Sequence, residues 1–324
     1  MTEFISADLV HIKELSLYGI SRAAVAIGVF DGVHLGHQKL LTELLTISSE
    51  LNAEPVVMTF FPHPRSILTE HPPRLLYPKE EKIRLLHSYG VKAVVTVHFT
   101  GQFSRLSPDE FLEQSVFAGP VPIAGICVGR HWKFGARAAG NADFLEWTAQ
   151  RMNFRFSAVD ELCMKDGQAV SSTAIRNAIA SGELGKAENM LGRRYSLFGT
   201  VIPGYRNAGK ELDAPTANLQ MQEGVLPPNG VYAGVAHLPA GERCAAAVNI
   251  GTSPTFREQY GRIDPRVEVH LLDFHGDLYG QKIKLELAGF VREEKQFPDV
   301  RALKEQIARD IGDIRKIVKR PERS

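Results

Sequence analysis

The sequence predicts an α/β domain built on a parallel sheet, followed by a small all-β domain and a closing C-terminal helix. Three observations predict it. Through the first half, apolar runs of β-type residues alternate with segments of helical period. From Tyr195 onward, short strand-like runs succeed one another between Gly/Pro turns. After Pro298 a helical period returns.

In chain order, Val25–Phe30, Val56–Phe61, Val91–Val97 and Ile123–Val128 read as buried strands, with Phe154–Val159 as a weaker fifth. Between them, Leu40, Leu41, Leu44, Leu45 and Leu51 fall mostly on one helical face, and Glu80–Leu86 and Pro108–Phe117 read as further helices. Strand–helix repetition of this kind places helices on both faces of a parallel sheet, with ligands at the carboxyl ends of its strands. The texture changes around Gly182–Arg194, which puts the domains at 1–186 and 187–324. Tyr195–Ile202, Val231–His237, Ala245–Ile250, Val267–Phe274 and Ile283–Phe290 then suit a small barrel or sandwich. Val300, Leu303, Ile307, Ile311 and Ile314 stripe the last helix and are read as packing against it.

A chain of 324 residues suits two domains, each able to bury a core. Its net charge of +1 gives no basic field for a nucleic-acid partner, and the Lys/Arg cluster at the C-terminus is read as a solvated helix end. Cys127, Cys163 and Cys244 form no C-x-x-C pair and read as free thiols of a reducing compartment. The N-terminal residues lack the apolar stretch of a signal peptide, and no run is long enough to span a membrane. The expectation is a cytoplasmic protein with small-molecule partners, no membrane or nucleic-acid partner, and a monomeric or weakly homo-oligomeric state.

The densest chemistry is Gly28-Val29-Phe30-Asp31-Gly32-Val33-His34-Leu35-Gly36-His37, where the first strand runs into the first helix. The glycines let the backbone turn tightly and approach a ligand. The helix N-terminus favours an anion, and two imidazoles three residues apart lie on one side of its first turn. They can donate to phosphate oxygens, where charge builds in phosphoryl-type transfer. A two-histidine metal site and a fortuitous Gly/His turn are the alternatives. No Cys, Glu or Asp stands at matching spacing within the turn for the metal. Later, Ser171 or Ser172 can cap a helix whose free N–H groups, with the hydroxyls and Arg176, would face one anion.

These residues resemble the H-x-G-H nucleotidyltransferase superfamily, and in finer detail the FMN adenylyltransferase module of bifunctional riboflavin kinase/FAD synthetases. Three further blocks carry the resemblance in order: Thr59-Phe60-Phe61-Pro62-His63-Pro64-Arg65, Gly129-Arg130-His131-Trp132-Lys133-Phe134-Gly135 ending in Gly140-Asn141, and Ser171-Ser172-Thr173-Ala174-Ile175-Arg176. The resemblance implies a Rossmann-like domain with His34 and His37 as catalytic residues. It implies ATP and phosphate contacts from Gly28, Phe30, Asp31, Gly36, Ser171, Ser172, Thr173 and Arg176, and flavin contacts from His63, Pro64 and Arg65. His131 departs from the pattern, standing where the family usually carries Asp.

In the second half, Thr216 and Asn218 of Pro215-Thr216-Ala217-Asn218 share one side of a strand, and a hydroxyl and an amide oxygen so placed suit Mg²⁺ and phosphate. Asn249-Ile250-Gly251-Thr252-Ser253-Pro254-Thr255-Phe256, Val267–Phe274, Tyr279-Gly280 and Arg292-Glu293-Glu294-Lys295 before Phe297 follow. Together they resemble the riboflavin kinase module, a small six-stranded barrel. From the residues alone Glu268 reads as an exposed strand glutamate sharing a face with His270. The resemblance implies instead that Glu268 is the general base for the riboflavin 5′-hydroxyl, that Thr216 and Asn218 hold Mg²⁺ and phosphate, and that Arg292 contacts flavin. Asp213-Ala214 stand where a glycine and an aromatic usually precede P-T-A-N, and a carboxylate there would repel phosphates, which implies a weakened kinase.

The implied function is phosphorylation of riboflavin by ATP to FMN, then adenylylation of FMN to FAD with release of pyrophosphate. The alternative is FMN adenylylation alone, with a weakened or merely flavin-binding barrel. Adenylyl or cytidylyl transfer to another acceptor, and a flavin-binding regulatory protein, are further readings. The presence of Thr216, Asn218 and Glu268 together favours catalysis.

Overall fold

The expected strands of the first half do form one parallel sheet. The computed structural model describes residues 8–9, 11–202, 216–252 and 265–319. Chain contacts divide it into two compact units: Met1–Leu75 with Lys79–Ser171, and Leu76–Pro78 with Ser172–Ser324. Apart from Leu76–Pro78, the second unit thus runs from Ser172, while the change of sequence texture points to residue 186.

In the first unit, β1 (Asp8–Leu9), β2 (Ala23–Ile27), β3 (Glu54–Phe61), β4 (Ala93–His98), β5 (Ile123–Gly129) and β6 (Arg155–Val159) pair in parallel in the order β1-β4-β3-β2-β5-β6. Helices α1 (Leu35–Glu50), α2 (Pro64–Leu68), α3 (Lys79–Ser88), α4 (Pro108–Phe111) and α5 (Ala142–Met152) connect them. Because the central strands are covered on both sides, β2 reads as an unbroken apolar run and is buried throughout. Val25, Ile27, Met58, Val95, Ile126, Val128 and Leu145 form the core on one side of the sheet. Burying each large side chain contributes roughly 1.5–3 kcal/mol. After β2 the chain adds β3 and β4 on one side and then β5 on the other, so a crevice opens at the carboxyl end of β2.

Two expectations shift. β2 stops at Ile27 rather than Phe30, because Phe30 has φ 55° and leaves the extended region. The helix expected over Pro108–Phe117 is α4, opened by a Ser107/Glu110 capping box, continued by a π turn over Leu112–Val116. Cys127 is buried and its burial pushes the thiol up, as expected of a packed free thiol.

The second unit begins with α6 (Ser172–Ala180) and α7 (Leu184–Leu191). β7 (Ser196–Ile202), β8 (Thr216–Glu223), β9 (Gly230–His237), β10 (Arg243–Thr252), β11 (Pro265–Leu271) and β12 (Lys282–Arg292) then close an antiparallel barrel, order β10-β11-β8-β7-β12-β9. The barrel, not the sandwich, is therefore the architecture. α8 (Val300–Val318), capped by Asp299, lies over β9, β10 and β12. Ile314 seats against Ala233 and Leu272, which explains why β9 is buried on both faces. Tyr195 accepts from the Val225 N–H at 2.8 Å and donates to the Leu76 carbonyl at 3.3 Å, so its hydroxyl is satisfied inside the unit.

An ion cluster marks the outside of β12. Glu286 lies 2.9 Å from His237 Nε2, 3.2 Å from Lys284 Nζ and 3.6 Å from Arg243. Burial alone would raise its carboxyl, but Lys284 and His237 outweigh burial and hold it below the usual glutamate range. A depressed carboxylate stabilises the fold above its unfolded pKa and loses that contribution as pH falls through the folded one. Melting of the barrel is therefore expected to weaken below about pH 4.3. Glu286→Gln should flatten that acid limb in a calorimetric series, and an unaltered limb would remove Glu286 from the account.

Two candidate active sites

The turn after β2 is backbone under strain. Phe30 (φ 55°), Gly32 (φ 82°) and Val33 (φ 40°) all occupy the left-handed region. For the two non-glycine residues this costs about 1–3 kcal/mol each, and Val33 is β-branched, where positive φ is rare. The turn is held by the Val33 N–H donating to the Phe30 carbonyl at 3.2 Å and by Gln38 Nε2 donating to the Val33 carbonyl at 3.0 Å. It is also pinned at Val29, whose carbonyl accepts from the Thr59 hydroxyl at 2.9 Å and from Lys82 Nζ at 3.2 Å.

His34 caps α1. Its backbone is extended (φ −74°, ψ 171°), and its Nδ1 accepts from the His37 N–H at 3.3 Å. An imidazole that accepts at Nδ1 carries its proton at Nε2 when neutral, so the ring presents a donor on its other side. The His37 ring stacks on it at 3.7 Å and 17° and leans on Phe30 at 5.1 Å. Gly36 leaves room for this pair: a Cβ there would lie 3.2 Å from the His34 ring. Asp31 and His34 are both buried. Among the described residues no group of three His, Cys, Asp or Glu is arranged to hold a metal.

The second block contains a cis Phe61-Pro62 bond. His63 caps α2, its Nδ1 accepting from the Arg65 N–H at 3.1 Å, with Pro64 at the first helical position. Phe61, Ile67 and Leu68 stand exposed around it, and Lys79 Nζ lies 5.4 Å over the Phe61 ring. In the third block Phe134 and Gly140 exchange both backbone hydrogen bonds. Trp132 stacks on Phe134 at 4.8 Å and 12°, and Asn141 caps α5. His131 is exposed. Its neighbour Arg130 pairs with Asp160, and that hydrogen bond and charge hold Asp160 below its usual value. Ser171 closes the first unit. Ser172, Thr173 and Arg176 lie on α6 in the second.

On the barrel, register builds a row that the sequence does not spell out. Asn218 on β8 stands opposite Glu268 on β11, Glu268 opposite Asn249 on β10, Asn249 opposite Val231 on β9, and Val231 opposite Arg292 on β12. Thr216 stands opposite His270. Val267 and Val269 are buried in the barrel, so Glu268 and His270 take the other face. There a cavity of about 410 Å³ is bounded by Val231, Asn249, Glu268 and Arg292 on the strands and by Leu303 and Ile307 on α8. Glu268 is thus half-buried in a concave site rather than a bare strand glutamate. The α8 stripe is likewise divided: Ile314 packs, Leu303 and Ile307 wall the cavity, Ile311 does both, and Val300, expected to pack, stands exposed.

Arg292 is fixed in that wall by Asp310, with Nε and Nη2 each 2.9 Å from Oδ2. Gln306 donates to Asp310 Oδ1 at 2.7 Å. Asp310 is buried, so removing its charge leaves the guanidinium without its main partner. Asp310→Asn is expected to raise the Michaelis constant for the ligand of this cavity about tenfold, with little change in turnover. Steady-state kinetics would contradict this if turnover alone fell.

Asn249, Asp310 and the cavity face of α8 were not assigned a role from sequence. Only strand register and the return of a distant helix bring them to Glu268. Asp213-Ala214, Pro215, Gly204–Lys210 and Ser253–Phe256 lie outside the described residues, as does the side chain of Thr216.

The family model described as FAD synthetase matches residues 19–174, and that described as riboflavin kinase matches residues 191–318. Curated relatives named bifunctional riboflavin kinase/FMN adenylyltransferase align over most of the chain. The Haemophilus influenzae protein is 36% identical, covering 89% of this chain and 92% of its own. The Escherichia coli K12 protein is 36% identical (92% and 94%), and that of Bacillus subtilis 34% (90% and 90%). Among solved structures, a macrolide-efflux protein from Streptococcus pneumoniae has TM-score 0.82 at 26% identity, over 95% of this chain and 99% of its own. Among the described residues no helix is long and apolar enough to cross a membrane.

Proposed function

The chain belongs to the bifunctional riboflavin kinase/FMN adenylyltransferase family, and from that premise we propose how its residues divide the two transfers. The kinase half converts riboflavin and ATP to FMN and ADP. The adenylyltransferase half joins FMN to ATP, giving FAD and pyrophosphate. The functional division is proposed at about residue 186, giving 1–186 and 187–324, and the gap between the matched segments, 19–174 and 191–318, supports it.

In adenylyl transfer the FMN phosphate is itself the nucleophile and attacks the α-phosphorus in line, so no protein nucleophile is needed. His34 and His37 donate to the α-phosphate and the departing pyrophosphate, where negative charge grows. Gly28, Phe30, Asp31 and Gly36 shape the turn around the nucleotide. Ser171, Ser172, Thr173 and Arg176 hold the β- and γ-phosphates, while His63, Pro64 and Arg65 meet the flavin. One observation carries this reading: His34 and His37 stack at the carboxyl end of β2, and His34 accepts at Nδ1 from its own helix, so its neutral ring carries the proton on Nε2.

In the kinase step Glu268 accepts the 5′-hydroxyl proton as the oxygen attacks the γ-phosphate. The apolar wall of Leu303, Ile307 and Ile311 takes the ring system and Arg292 its polar edge. Thr216 and Asn218 would hold Mg²⁺, because a hydroxyl and an amide oxygen two residues apart on one strand are hard oxygen donors. When bound there, Mg²⁺ supplies positive charge between phosphates and acceptor. The near-neutral charge and unpaired cysteines support a cytoplasmic enzyme of small molecules, monomeric or weakly self-associating, with no nucleic-acid partner.

Flavin fluorescence tests both steps, because FAD fluoresces far less than FMN. With FMN, ATP and Mg²⁺ the signal should fall as pyrophosphate accumulates. With riboflavin as the sole flavin, FMN should appear before FAD. No fall in the first arm would reject the adenylyl step.

A further inference from the structure

Lys82 reaches from α3 to the carboxyl ends of β2 and β3 and is buried there, at 8% exposure. Buried lysines are uncommon, because an ammonium loses its hydration on burial. This one donates to the Val29 carbonyl at 3.2 Å and to the Thr59 hydroxyl at 3.1 Å. The same hydroxyl donates to the same carbonyl at 2.9 Å. One peptide oxygen therefore holds two donors from two different elements, β3 and α3.

That oxygen sits at a particular place. The peptide it belongs to leads directly into Phe30, the first left-handed residue of the turn, and four residues further on His34 begins the cap of α1. A strained turn persists only where its surroundings over-determine it. Freed of Lys82, the Val29–Phe30 peptide could rotate toward the ordinary extended region, and the imidazole pair would swing with it. Thr59 alone can satisfy the carbonyl, so hydrogen-bond satisfaction does not require a lysine.

We propose that Lys82 is a positioning residue for adenylyl transfer. Through Val29 it locks the Phe30–Val33 turn and so sets the direction in which His34 and His37 meet phosphate. This rests on the role assigned to the two histidines.

The test uses full-length Lys82→Met and Lys82→Arg, with three readouts on each: adenylylation of FMN, phosphorylation of riboflavin by the same chain, and the imidazole nitrogen resonances of His34. Lys82→Met should lower the turnover of adenylylation about 30-fold, since small displacements of a reacting group have effects of this order. The Michaelis constants for ATP and FMN should stay within about threefold. Phosphorylation should be unchanged and the His34 resonance displaced, and Lys82→Arg should restore most of the turnover. Unchanged turnover with an unmoved resonance overturns the inference and leaves the histidines in place. Unchanged turnover with a displaced resonance overturns the histidine reading itself. If Lys82→Met does not fold, Thr59→Val removes one of the two donors to Val29 and is judged by the same readouts. A turnover loss of about fivefold is then expected, and no loss overturns the proposal.

Discussion

Replacing both His34 and His37 with alanine should reduce FAD formation from FMN by about 10⁴-fold or more while FMN formation from riboflavin continues at its native rate. Removing one donor to charge that develops in a transition state lowers turnover by about 10²–10³-fold. The two rings are stacked at 3.7 Å and joined by the His34 Nδ1 hydrogen bond, so they form one structural unit. Their losses need not multiply, which is why the double variant is expected at the lower end of the product. Part of the effect of His34→Ala is structural, because an N-cap is worth about 1 kcal/mol. His34→Asn separates the two contributions. Asparagine caps a helix well but has no group where Nε2–H stands, so stability should be kept and turnover lost. The kinase activity of the same chain serves as the internal control. Product separation after incubation with FMN and ATP gives the answer, and FAD accumulating at a native rate in the double variant would end the assignment.

Much of this was readable from the sequence, for a physical reason. β2 is buried on both faces and so is written as an unbroken apolar run, and a helical period begins right after it. Glycines and histidines between those two patterns mark the strand-to-helix turn wherever the rest of the sheet lies. What could not be read depends on approach in space rather than on period. Val33 gives no hint of its positive φ, because a β-branched residue is the last choice for one. Lys82 stands on a helix rich in charge, with Glu80 and Glu81 before it, and nothing in that pattern shows that it turns inward. β1 has two residues, too few to carry a period. On α8 the spacing of Leu303, Ile307, Ile311 and Ile314 is one stripe, and only the shape of the barrel beneath decides that Ile314 packs, Leu303 and Ile307 line a cavity and Ile311 does both. Arg292 and Asp310 are likewise joined only by the return of α8.

Glu268→Gln should lower riboflavin phosphorylation by about 10³-fold and leave adenylylation of added FMN untouched. General-base assistance contributes typically 10²–10⁴-fold, and a thousandfold loss corresponds to about 4 kcal/mol of transition-state stabilisation. Glutamine keeps the shape and the hydrogen-bonding carbonyl of the side chain, so the row from Asn218 through Glu268 and Asn249 to Arg292 should remain in register. Only the capacity to accept a proton is removed. The apolar wall on α8 and the Arg292–Asp310 pair are not altered by the change, so riboflavin should still bind, with affinity measured by flavin fluorescence within about threefold of native. Loss of turnover with affinity retained would distinguish a base from a residue that merely supports the strand, since a supporting residue would weaken both together. With riboflavin as the only flavin the variant should yield almost no FAD, and with FMN it should yield FAD normally. Phosphorylation persisting at near the native rate would mean that the proton leaves by another route and that the glutamate is there for the strand alone.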